Sequence, residues 1–437
     1  MLEFAPKIGD GNVRKKEPMQ PRRTILFIEQ NLDGTTGGSY RSLLHLVRRV
    51  DRSLYRPVVA FYRDHDLMPR YRATGCEILL LRYPSPVDLR RAWSGSGSTW
   101  GVPLRGLASF VQRVANLFRM STFLLLRNLY LITRKKIDLV HLNNGVTDGS
   151  ELLLAAKLLG RKVVIHQRGI GPVPRWNARF ASWADHIICV SDSARHNLVA
   201  AGIPRAKCTT VHNGIDPDEF LSTVRRSPAE VRRSLGLAED CPVVGMAGMI
   251  RAWKGQLVLL EAIRLLHAEY PGLRCVIAGG VADRDDKDRM YLEGLRRFIA
   301  DNGLETTVQI LDYQPNVAEF LQVLDVMVHA AVDPEPFSRT VLEGMTLGRA
   351  LVATSTGGTP EAIQDGVSGI LVPPNDSEAM AAKIGFLLDH PEERRRLGLG
   401  AQEAIRQKFL ITANVAATER IYRSLFERGT APHAASR

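Results

Sequence analysis

A chain of 437 residues is longer than one hydrophobic core usually covers, so two domains of ordinary size are the first expectation. Hydrophobic residues make up 45% of the chain and charged residues 24%, a balance typical of soluble globular proteins that excludes general disorder. The formal net charge of +12 favours an anionic partner, but charge alone does not choose among a nucleotide, a nucleic acid and an acidic membrane surface.

The first residues of the chain and its cysteines indicate in which cellular compartment the protein is expected. Residues 1–22 are basic but contain no apolar run of signal-peptide length, which predicts a disordered tail on a cytoplasmic protein. No window reaches the eighteen or so consecutive apolar residues that a membrane-spanning helix needs. The cysteines have no metal-binding spacing, and several lie in apolar, strand-like runs. We therefore expect reduced thiols that serve packing: Cys76, Cys189, Cys208, Cys241 and Cys275.

The first packed element is an apolar strand at residues 24–30, which a glycine-rich turn connects to a helical pattern at 40–50. Gly37 and Gly38 lie in this turn and carry no Cβ atom, so the backbone can approach a phosphate or a sugar closely. A plain strand-to-helix turn explains the two glycines equally well when this stretch is taken alone.

Further apolar strands alternate with helical stretches through the first half of the chain. The strands are predicted at residues 57–62, 77–82, 137–142, 162–166, 186–190 and 208–212. Nearly continuous apolar strands in such an alternation favour a parallel sheet covered on both faces, so we predict a Rossmann-like domain at 23–220. Ligands of such sheets gather at the carboxyl ends of the strands, where His141 and His166 lie.

An insertion at residues 84–134 interrupts this alternation, and no Asp or Glu occurs between Leu89 and Ile137. If residues 105–134 form one helix, its arginines fall within about 120° of arc and Leu, Val and Phe fill much of the rest. The arginines are Arg105, Arg113, Arg119, Arg127 and Arg134. A helix lying on an anionic membrane surface and a core-packing helix with a solvated edge explain this pattern equally well.

The second half of the chain repeats the alternation. Its strands are predicted at residues 242–247, 273–278, 307–311, 326–332, 350–353 and 369–372. We therefore predict a second doubly wound α/β domain at 221–405, followed by a helix at 406–428 and a tail at 429–437. Two Rossmann-like domains in tandem face each other across a cleft, with the strand ends directed inward.

One loop in the second domain concentrates groups suited to chemistry. It follows the buried strand at 326–332, and Pro334 and Pro336 stiffen it, so Glu335 is held at a fixed place on its tip. Ser338 or Arg339 then opens a helix. This stretch therefore predicts a strand, a rigid loop and a helix start that presents a carboxylate.

The start of this helix is a predicted anion site. Its free amides point outward, Arg339 lies beside them, and Glu343 follows about one turn later. Glu335 and Glu343 thus flank one phosphate position. A pair of solvated surface acids would be the simpler explanation of two glutamates at this spacing without the residues around them.

The stretch from Glu335 to Glu343 resembles the E-x7-E signature of retaining glycosyltransferases of family 4. Four other motifs resemble this family in order and spacing: 189–193, 211–216, 244–256 and 357–361. The resemblance covers roughly residues 24–425 and implies the GT-B architecture. It also implies that a nucleotide sugar binds to the second domain and that the acceptor binds mainly to the first. The last helix would cross back to the first domain, and the chemistry would need no metal ion.

The resemblance assigns roles to the acidic loop. Glu335 would contact the hydroxyls of the donor sugar and Glu343 those of the ribose. The donor phosphates would lie against the stretch Phe337, Ser338, Arg339, Thr340 and Val341, although most members have glycine where Ser338 stands. Gly37 and Gly38 would face the same phosphates from the first domain, which requires closure of the cleft.

The resemblance also assigns the cations. Breaking a sugar-diphosphate bond leaves two negative charges on the departing nucleotide, so a metal-free site must supply cations and amide dipoles. Lys254 matches the diphosphate lysine of the family. The family arginine earlier in that loop is replaced by Met249, and Arg251, two residues further on, is the candidate to do its work. His166 matches the histidine that reaches the transferred sugar from the first domain.

We therefore expect a hexosyltransferase of polysaccharide biosynthesis. It would move a sugar from a nucleoside-diphosphate sugar to a lipid-linked or cell-surface glycan precursor by front-face attack. The reaction would take place at the inner face of the membrane. An epimerase or hydrolase on the same fold, and a non-catalytic nucleotide-sugar-binding subunit suggested by Met249 and Ser338, are the alternatives. No recognised nucleic-acid motif accompanies the basic residues, so a nucleic-acid partner is not expected.

Overall fold

A computed structural model describes residues 22–30, 38–81, 83, 102–281 and 286–427, with the backbone alone at 102–111, 113–115 and 117. The basic start of the chain, Gly37, the first part of the insertion and the last ten residues lie outside these ranges. Two parallel sheets organise the chain, which confirms the predicted α/β architecture of two Rossmann-like domains.

The first sheet has seven parallel strands in the order β3-β2-β1-β4-β5-β6-β7. Each apolar run predicted as a strand forms one, because buried β-branched and aliphatic residues suit a sheet covered on both faces. The strands are β1 Arg23–Glu29, β2 Tyr55–Phe61, β3 Glu77–Leu80, β4 Leu139–Leu142, β5 Lys162–Gln167, β6 His186–Cys189 and β7 Cys208–Thr210.

Helices cover both faces of this sheet. They are α1 Gly38–Arg49, α2 Met68–Arg72, α3 Val102–Arg134, α4 Ser150–Leu158, α5 Arg175–Ala181, α6 Asp192–Ala200 and, in the connection to the second domain, α7 Pro217–Leu221. Helices α3 to α6 pack into one core, which contains Ile132, Leu152 and Ala178. Helices α1 and α2 pack into the core on the opposite face, around Leu43 and Tyr71.

The second sheet has six parallel strands in the order β10-β9-β8-β11-β12-β13. They are β8 Val243–Ala247, β9 Arg274–Ala278, β10 Val308–Leu311, β11 Val326–His329, β12 Ala350–Thr354 and β13 Ile370–Val372. The helices of this half are α8 Pro228–Ser234, α9 Gln256–Leu266, α10 Asp286–Asp301, α11 Val317–Leu321, α12 Arg339–Thr346, α13 Thr359–Ala362, α14 Ser377–Asp389, α15 Pro391–Lys408 and α16 Ile411–Glu427.

Helix α16 returns to the first domain. The chain crosses beside the interdomain connection, where the Ile411 amide donates to the Ile215 carbonyl at 2.9 Å. A Cβ atom on Gly214 would lie 2.6 Å from Ile411 Cα, so this crossing needs a glycine. Tyr422 of α16 is fully buried in the core under α1, and its hydroxyl lies 2.6 Å from His141 Nδ1. The last helix therefore joins the two domains covalently and by packing.

Helix α3 is one continuous element of 33 residues, so the condition set for the arginine spacing at 105–134 is met. Among the helices that the structure describes, none has both the length and the hydropathy needed to cross a bilayer. The five cysteines are free thiols, and four of them are buried.

A carboxylate of the second domain caps a helix of the first. The Glu361 side chain on α13 accepts hydrogen bonds from the Asp192 and Ser193 amides at 2.7 and 2.8 Å, and from His212 Nε2 at 2.8 Å. Burial would raise the pKa of Glu361, but His212 and the two amides outweigh it and lower that pKa. The ionised carboxylate at the start of α6 therefore stabilises the contact between the domains.

Glu361→Gln removes this charge, so we expect the free energy of unfolding at pH 7 to fall by about 1–2 kcal/mol. Because the folded pKa lies below the ordinary 4.5 of glutamate, the stabilisation is present above that pH and disappears as the pH falls through the folded pKa. Urea unfolding of both proteins from pH 7 to pH 3 should show their difference shrinking at the acidic end. A difference that stays constant with pH would contradict this role.

Candidate functional site

The candidate site lies in the cleft between the domains, where the carboxyl ends of both sheets meet. A cavity of 320 Å³ is lined by Gly38 and Arg41 from the first domain and, from the second, by residues that include Met249, Thr340 and Glu343. Open α/β sheets bind ligands at this edge. Among the residues that the structure describes, no group of three His, Cys, Asp or Glu side chains could hold a metal ion.

The first-domain wall of the cavity is held by Glu29 at the end of β1. Its side chain is fully buried and accepts from Asn143 Nδ2 at 2.6 Å and from the Ser39 hydroxyl at 3.2 Å. Ser39 is the second residue of α1, so these bonds position the start of that helix. A Cβ atom on Gly38 would lie 3.2 Å from Arg339 Cδ, so a larger residue there would press on that arginine.

A buried ion pair lies in the second domain, and neither of its two residues, Lys254 and Glu335, lines the cavity. Lys254 Nζ donates to both oxygens of Glu335, at 2.8 and 2.6 Å, and both side chains are at least 86% buried. Lys254 Nζ also lies 4.2 Å above the Trp253 ring. His329 Nε2 approaches Glu335 Oε2 to 3.2 Å without the alignment of a hydrogen bond. Lys254 therefore fixes the Glu335 carboxylate with two hydrogen bonds, and His329 lies beside it.

Two glycines allow this pair to form. Gly255 has a φ of +75°, and a Cβ atom there would lie 1.9 Å from the Ala330 carbonyl, so the turn of Lys254 packs directly on the end of β11. Gly357 has a φ of +58°, and a Cβ atom there would lie 2.1 Å from the Glu335 carbonyl. The Gly358 amide donates to that carbonyl at 2.7 Å. Close backbone packing therefore fixes the loop from both sides.

The two glutamates differ in their electrostatics. Burial would raise the pKa of Glu335, but Lys254 and His329 outweigh it and hold that pKa well below the ordinary value. Burial raises the pKa of Glu343, and the opposing charges of Arg339 and Arg41 reduce this effect without cancelling it. Glu335 is thus a firmly ionised acceptor already paired with a cation, whereas Glu343 is a buried acceptor whose charge is only partly compensated.

Helix α12 begins as the sequence predicts, with Ser338 as its N-cap. The Ser338 hydroxyl accepts from the Val341 amide at 3.4 Å, so this amide is already engaged. Val341 is fully buried, and Phe337 stacks on the His212 ring with centroids 4.8 Å apart. Neither side chain lines the cavity, whereas Arg339 and Thr340 do.

Arg339 and Arg41 connect the domains across the cavity. Arg339 Nη1 lies 3.3 Å from the Ser42 hydroxyl on α1, and Nη2 lies 3.9 Å from Glu343 Oε1. Arg41 Nη2 donates to the Tyr313 hydroxyl of the second domain at 2.8 Å. The cavity therefore has two guanidinium groups on its walls.

The position of the expected family arginine holds no cation. Met249 lines the cavity there, and its carbonyl accepts from Gln256 Nε2 at 2.8 Å. Arg251 does not line the cavity, because its Nε donates to Asp288 Oδ2 on α10 at 3.0 Å. Arg251 is thus engaged with Asp288, and the arginines that line the cavity are Arg339 and Arg41.

His166 lies at the end of β5 with only 1% of its surface exposed. Burial, Arg168 and His141 lower the pKa of His166 well below its usual value, so the ring is neutral at pH 7. Arg168 Nη2 lies 3.3 Å from His166 Nδ1. A guanidinium can only donate, so Nδ1 accepts and the ring proton lies on Nε2. Among the described residues Nε2 has no hydrogen-bond partner.

Arg168 links this histidine to the acidic loop. Its guanidinium donates to the Asn213 side-chain oxygen at 3.0 Å, and Asn213 Nδ2 donates to the Phe337 carbonyl at 3.2 Å. Burial lowers the pKa of Arg168 to about 10, so it remains charged at neutral pH. A chain of hydrogen bonds therefore runs from the first-domain histidine to the loop that carries Glu335.

Several residues of the site escape sequence reasoning. Arg41, His329 and Tyr313 stand in no motif, and only the fold brings them to the site. Arg41 lies three residues after Gly38, so its proximity to the glycine turn is the signal that could have indicated it. Arg168 follows His166 at the end of a predicted strand, and this position predicts that it lies at the ligand-binding edge of the sheet.

Comparison with known families agrees with this geometry. Residues 36–219 match the family described as Glycosyltransferase Family 4, and residues 228–404 match the family described as Glycosyl transferases group 1. Each half of the chain therefore resembles a domain of a glycosyltransferase family, and the predicted GT-B fold with its paired domains is confirmed.

Solved GT-B structures share this fold over most of the chain. HepE of Anabaena, in complex with UDP, has a TM-score of 0.72 at 22% identity and covers 92% of this chain and 100% of its own. A glycosyltransferase of Rickettsia africae has a TM-score of 0.76 at 18% identity, over 93% of this chain and 99% of its own. Because both sequence identities are below 25%, the structural similarity establishes the fold alone.

Curated relatives match over shorter stretches. A D-inositol 3-phosphate glycosyltransferase of Corynebacterium urealyticum is 30% identical over 226 residues, which are 51% of this chain and 52% of the relative. A trehalose synthase of Pyrococcus horikoshii is 28% identical over 217 residues, 49% of this chain and 52% of the relative. The chain spans about half the length of these relatives, so their substrates do not transfer to it directly.

Replacing Lys254 should reveal the strength of the buried pair. Lys254→Ala leaves the Glu335 carboxylate buried without its main cation, so we expect the free energy of unfolding to fall by about 3 kcal/mol. The double variant Lys254→Ala/Glu335→Gln should lose at least about 1 kcal/mol less than the sum of the single variants. Urea unfolding of all four proteins measures this cycle. Strictly additive losses would show that the two side chains do not stabilise each other.

Gly357→Ala tests the packing of the glycine turn on the acidic loop. Gly75→Ala is the matched control, because Gly75 has a φ of +70° but nothing within 4 Å of an added Cβ atom. Both variants strain the backbone by about 1–2 kcal/mol, and we expect Gly357→Ala to lose at least about 2 kcal/mol more. Equal melting temperatures for the two variants would contradict the proposed close contact.

Proposed function

We propose that this protein transfers a sugar from a nucleoside-diphosphate sugar to a hydroxyl acceptor with retention of the anomeric configuration. The observation that carries the proposal is the buried Lys254–Glu335 pair, which lies at the carboxyl edge of the second sheet, the edge that also contributes Met249 and Glu343 to the cavity. The lysine would bind the diphosphate of such a donor, and the two carboxylates would accept from the hydroxyls of its hexose and its ribose.

The donor would exchange contacts with the buried pair. When the diphosphate binds, Lys254 moves its hydrogen bonds from Glu335 to the phosphate oxygens, and Glu335 becomes free to accept from the sugar hydroxyls. Arg339 and Arg41 would supply the further positive charge, because Met249 supplies none and Arg251 would first have to leave Asp288. Gly38 and the Thr340 amide would allow close approach of the phosphates. Gly37 would take the same part, although it lies outside the described residues.

The transfer would follow a front-face course without a metal ion. The bond between the anomeric carbon and the β-phosphate oxygen breaks, and the acceptor oxygen forms its bond on the same face of the sugar. The departing phosphate oxygen takes the acceptor proton. Lys254 and the arginines stabilise the negative charge that develops there. No protein carboxylate forms a covalent intermediate in this course.

His166 would position the transferred sugar. Its ring is neutral, and the Nε2–H group lacks a partner among the described residues. A buried donor without a partner is costly by about 1–3 kcal/mol, so a sugar hydroxyl that accepts from it gains binding energy. The chain of hydrogen bonds through Arg168 would keep this ring aligned with the loop of Glu335.

The donor base and the acceptor belong to the proposal as well. Structures of HepE contain UDP and UDP-glucose, so we propose a UDP-hexose as the first donor to test. We propose a lipid-linked or cell-surface glycan precursor as acceptor, reached from the inner face of the membrane through residues 105–134. A non-catalytic donor-binding subunit is the second candidate, because a methionine stands where the family carries a cation.

Transfer assays with UDP-, GDP- and ADP-hexoses and polyprenyl-phosphate or glycolipid acceptors test the proposal. We expect one UDP-hexose to raise the melting temperature, and NMR of the product to show the donor's anomeric configuration. Lys254→Met should lower kcat about 100-fold, because it removes charge stabilisation from the departing phosphate. Lys383→Met, which changes an exposed lysine of α14, should leave kcat unchanged.

Other outcomes separate the candidates. Inverted product would overturn the front-face course. Donor binding without turnover on any acceptor would favour the non-catalytic subunit. Circular dichroism at the assay temperature shows whether Lys254→Met is folded, so a loss of activity is not confused with unfolding.

A further inference from the structure

Helix α3 exposes large apolar side chains along one face. Phe118, Leu126 and Tyr130 are 75%, 61% and 69% exposed, and Phe123 is 47% exposed. At about 100° per residue these four fall within about 140° of arc, with Arg119 among them. The exposed face is therefore a mixture of aromatic and basic residues, and not the purely basic stripe that the arginine spacing suggests.

The first half of α3 extends beyond the sheet. A helix of 33 residues is about 50 Å long, whereas strand β4, which follows it, has four residues. Among the described side chains of α3, none before Leu124 is buried, and burial in the core is confined to the last eleven residues. Because α3 ends next to the start of β4, its first half projects toward the carboxyl edge of the sheet, where the cleft lies.

A second element exposes aromatic residues on the same side of the sheet. Trp176 of α5 is 70% exposed, and Trp183, in the turn that follows α5, is 47% exposed. Phe180 lies between them in sequence and stacks on Trp183 with centroids 4.7 Å apart. Helices α3 and α5 contribute Ile132 and Ala178 to one core, and α4 packs against α3 on the same face of the sheet.

The charges carried by both elements are positive, while Asp148 lines a pocket together with Trp176. Residues 90–137 and 169–184 contain no Asp or Glu. Arg175 and Arg179 are exposed beside the tryptophans, as Arg119 is beside Phe118. Exposed aromatic side chains that cluster on a protein surface mark interaction sites. Tryptophan and tyrosine beside arginine suit the boundary between lipid headgroups and acyl chains.

We propose that the outer faces of α3 and α5 form one lipid-facing surface that docks on an anionic bilayer. The tryptophans follow β5, whose end carries His166, so docking brings the acceptor side of the cleft to the membrane. The proposal depends on the proposed function only for the lipid-linked acceptor, and docking itself requires no turnover.

Sedimentation of the full chain with vesicles tests this surface. We expect binding to vesicles of 70% phosphatidylcholine and 30% phosphatidylglycerol, and at least tenfold weaker binding to pure phosphatidylcholine. Trp176→Ser/Trp183→Ser and Phe118→Ser/Tyr130→Ser should each weaken binding about tenfold. Met290→Ser/Leu399→Ser is the matched control, because these two residues of the second domain are 70% and 58% exposed, and it should bind as the wild type does.

Two outcomes would overturn the proposal. One is vesicle binding by both aromatic variants at wild-type strength. The other is that the wild type binds no vesicles and is a dimer in light scattering, whereas the aromatic variants are monomers. That result would assign the surface to contact with a second copy of the chain. The thermal shift with UDP-hexose, measured on the same variants, reports donor binding separately, so a failure of docking is distinguishable from a failure of the proposed chemistry.

Discussion

The buried pair of Lys254 and Glu335 is the interaction on which the cleft depends. Two charges more than four-fifths buried are stable only when they neutralise each other, so each holds the other in place. The backbone around them has no freedom to relax, because Gly255 packs on Ala330 and Gly357 packs on Glu335 itself. The site therefore holds a cation directly beside a carboxylate acceptor.

The same stretch places two glutamates in opposite environments. Glu335 lies among cations that lower its pKa, while burial raises the pKa of Glu343. The difference arises from the fold, since Lys254 comes from the turn after β8, and Arg339 from the start of α12. Contacts of Arg339 with α1, and of Glu361 with α6, further tie this region to the first domain. The electrostatics of the site thus depend on how the domains meet.

A second feature of the molecule is the layer of α3 and α5. The inner side of this layer packs into the core of the first domain, and its aromatic and basic residues face outward. This is the domain to which the acceptor is expected to bind. A cleft that takes an anionic donor on one wall and a membrane surface beside the other would account for the net charge of +12 without a nucleic-acid partner.

The sequence by itself determined the two sheets, the cleft and the start of α12 at Ser338, because apolar periodicity and a proline-stiffened loop are local properties of the chain. It also singled out Glu335, Glu343, Lys254 and His166. Only the tertiary structure decided that Arg251 binds Asp288, that Phe337 packs on His212, and that Arg41 and His329 join the site. These contacts span tens to hundreds of residues along the chain, and the physical reason is that charge pairing and close packing depend on distances in space that no local pattern encodes.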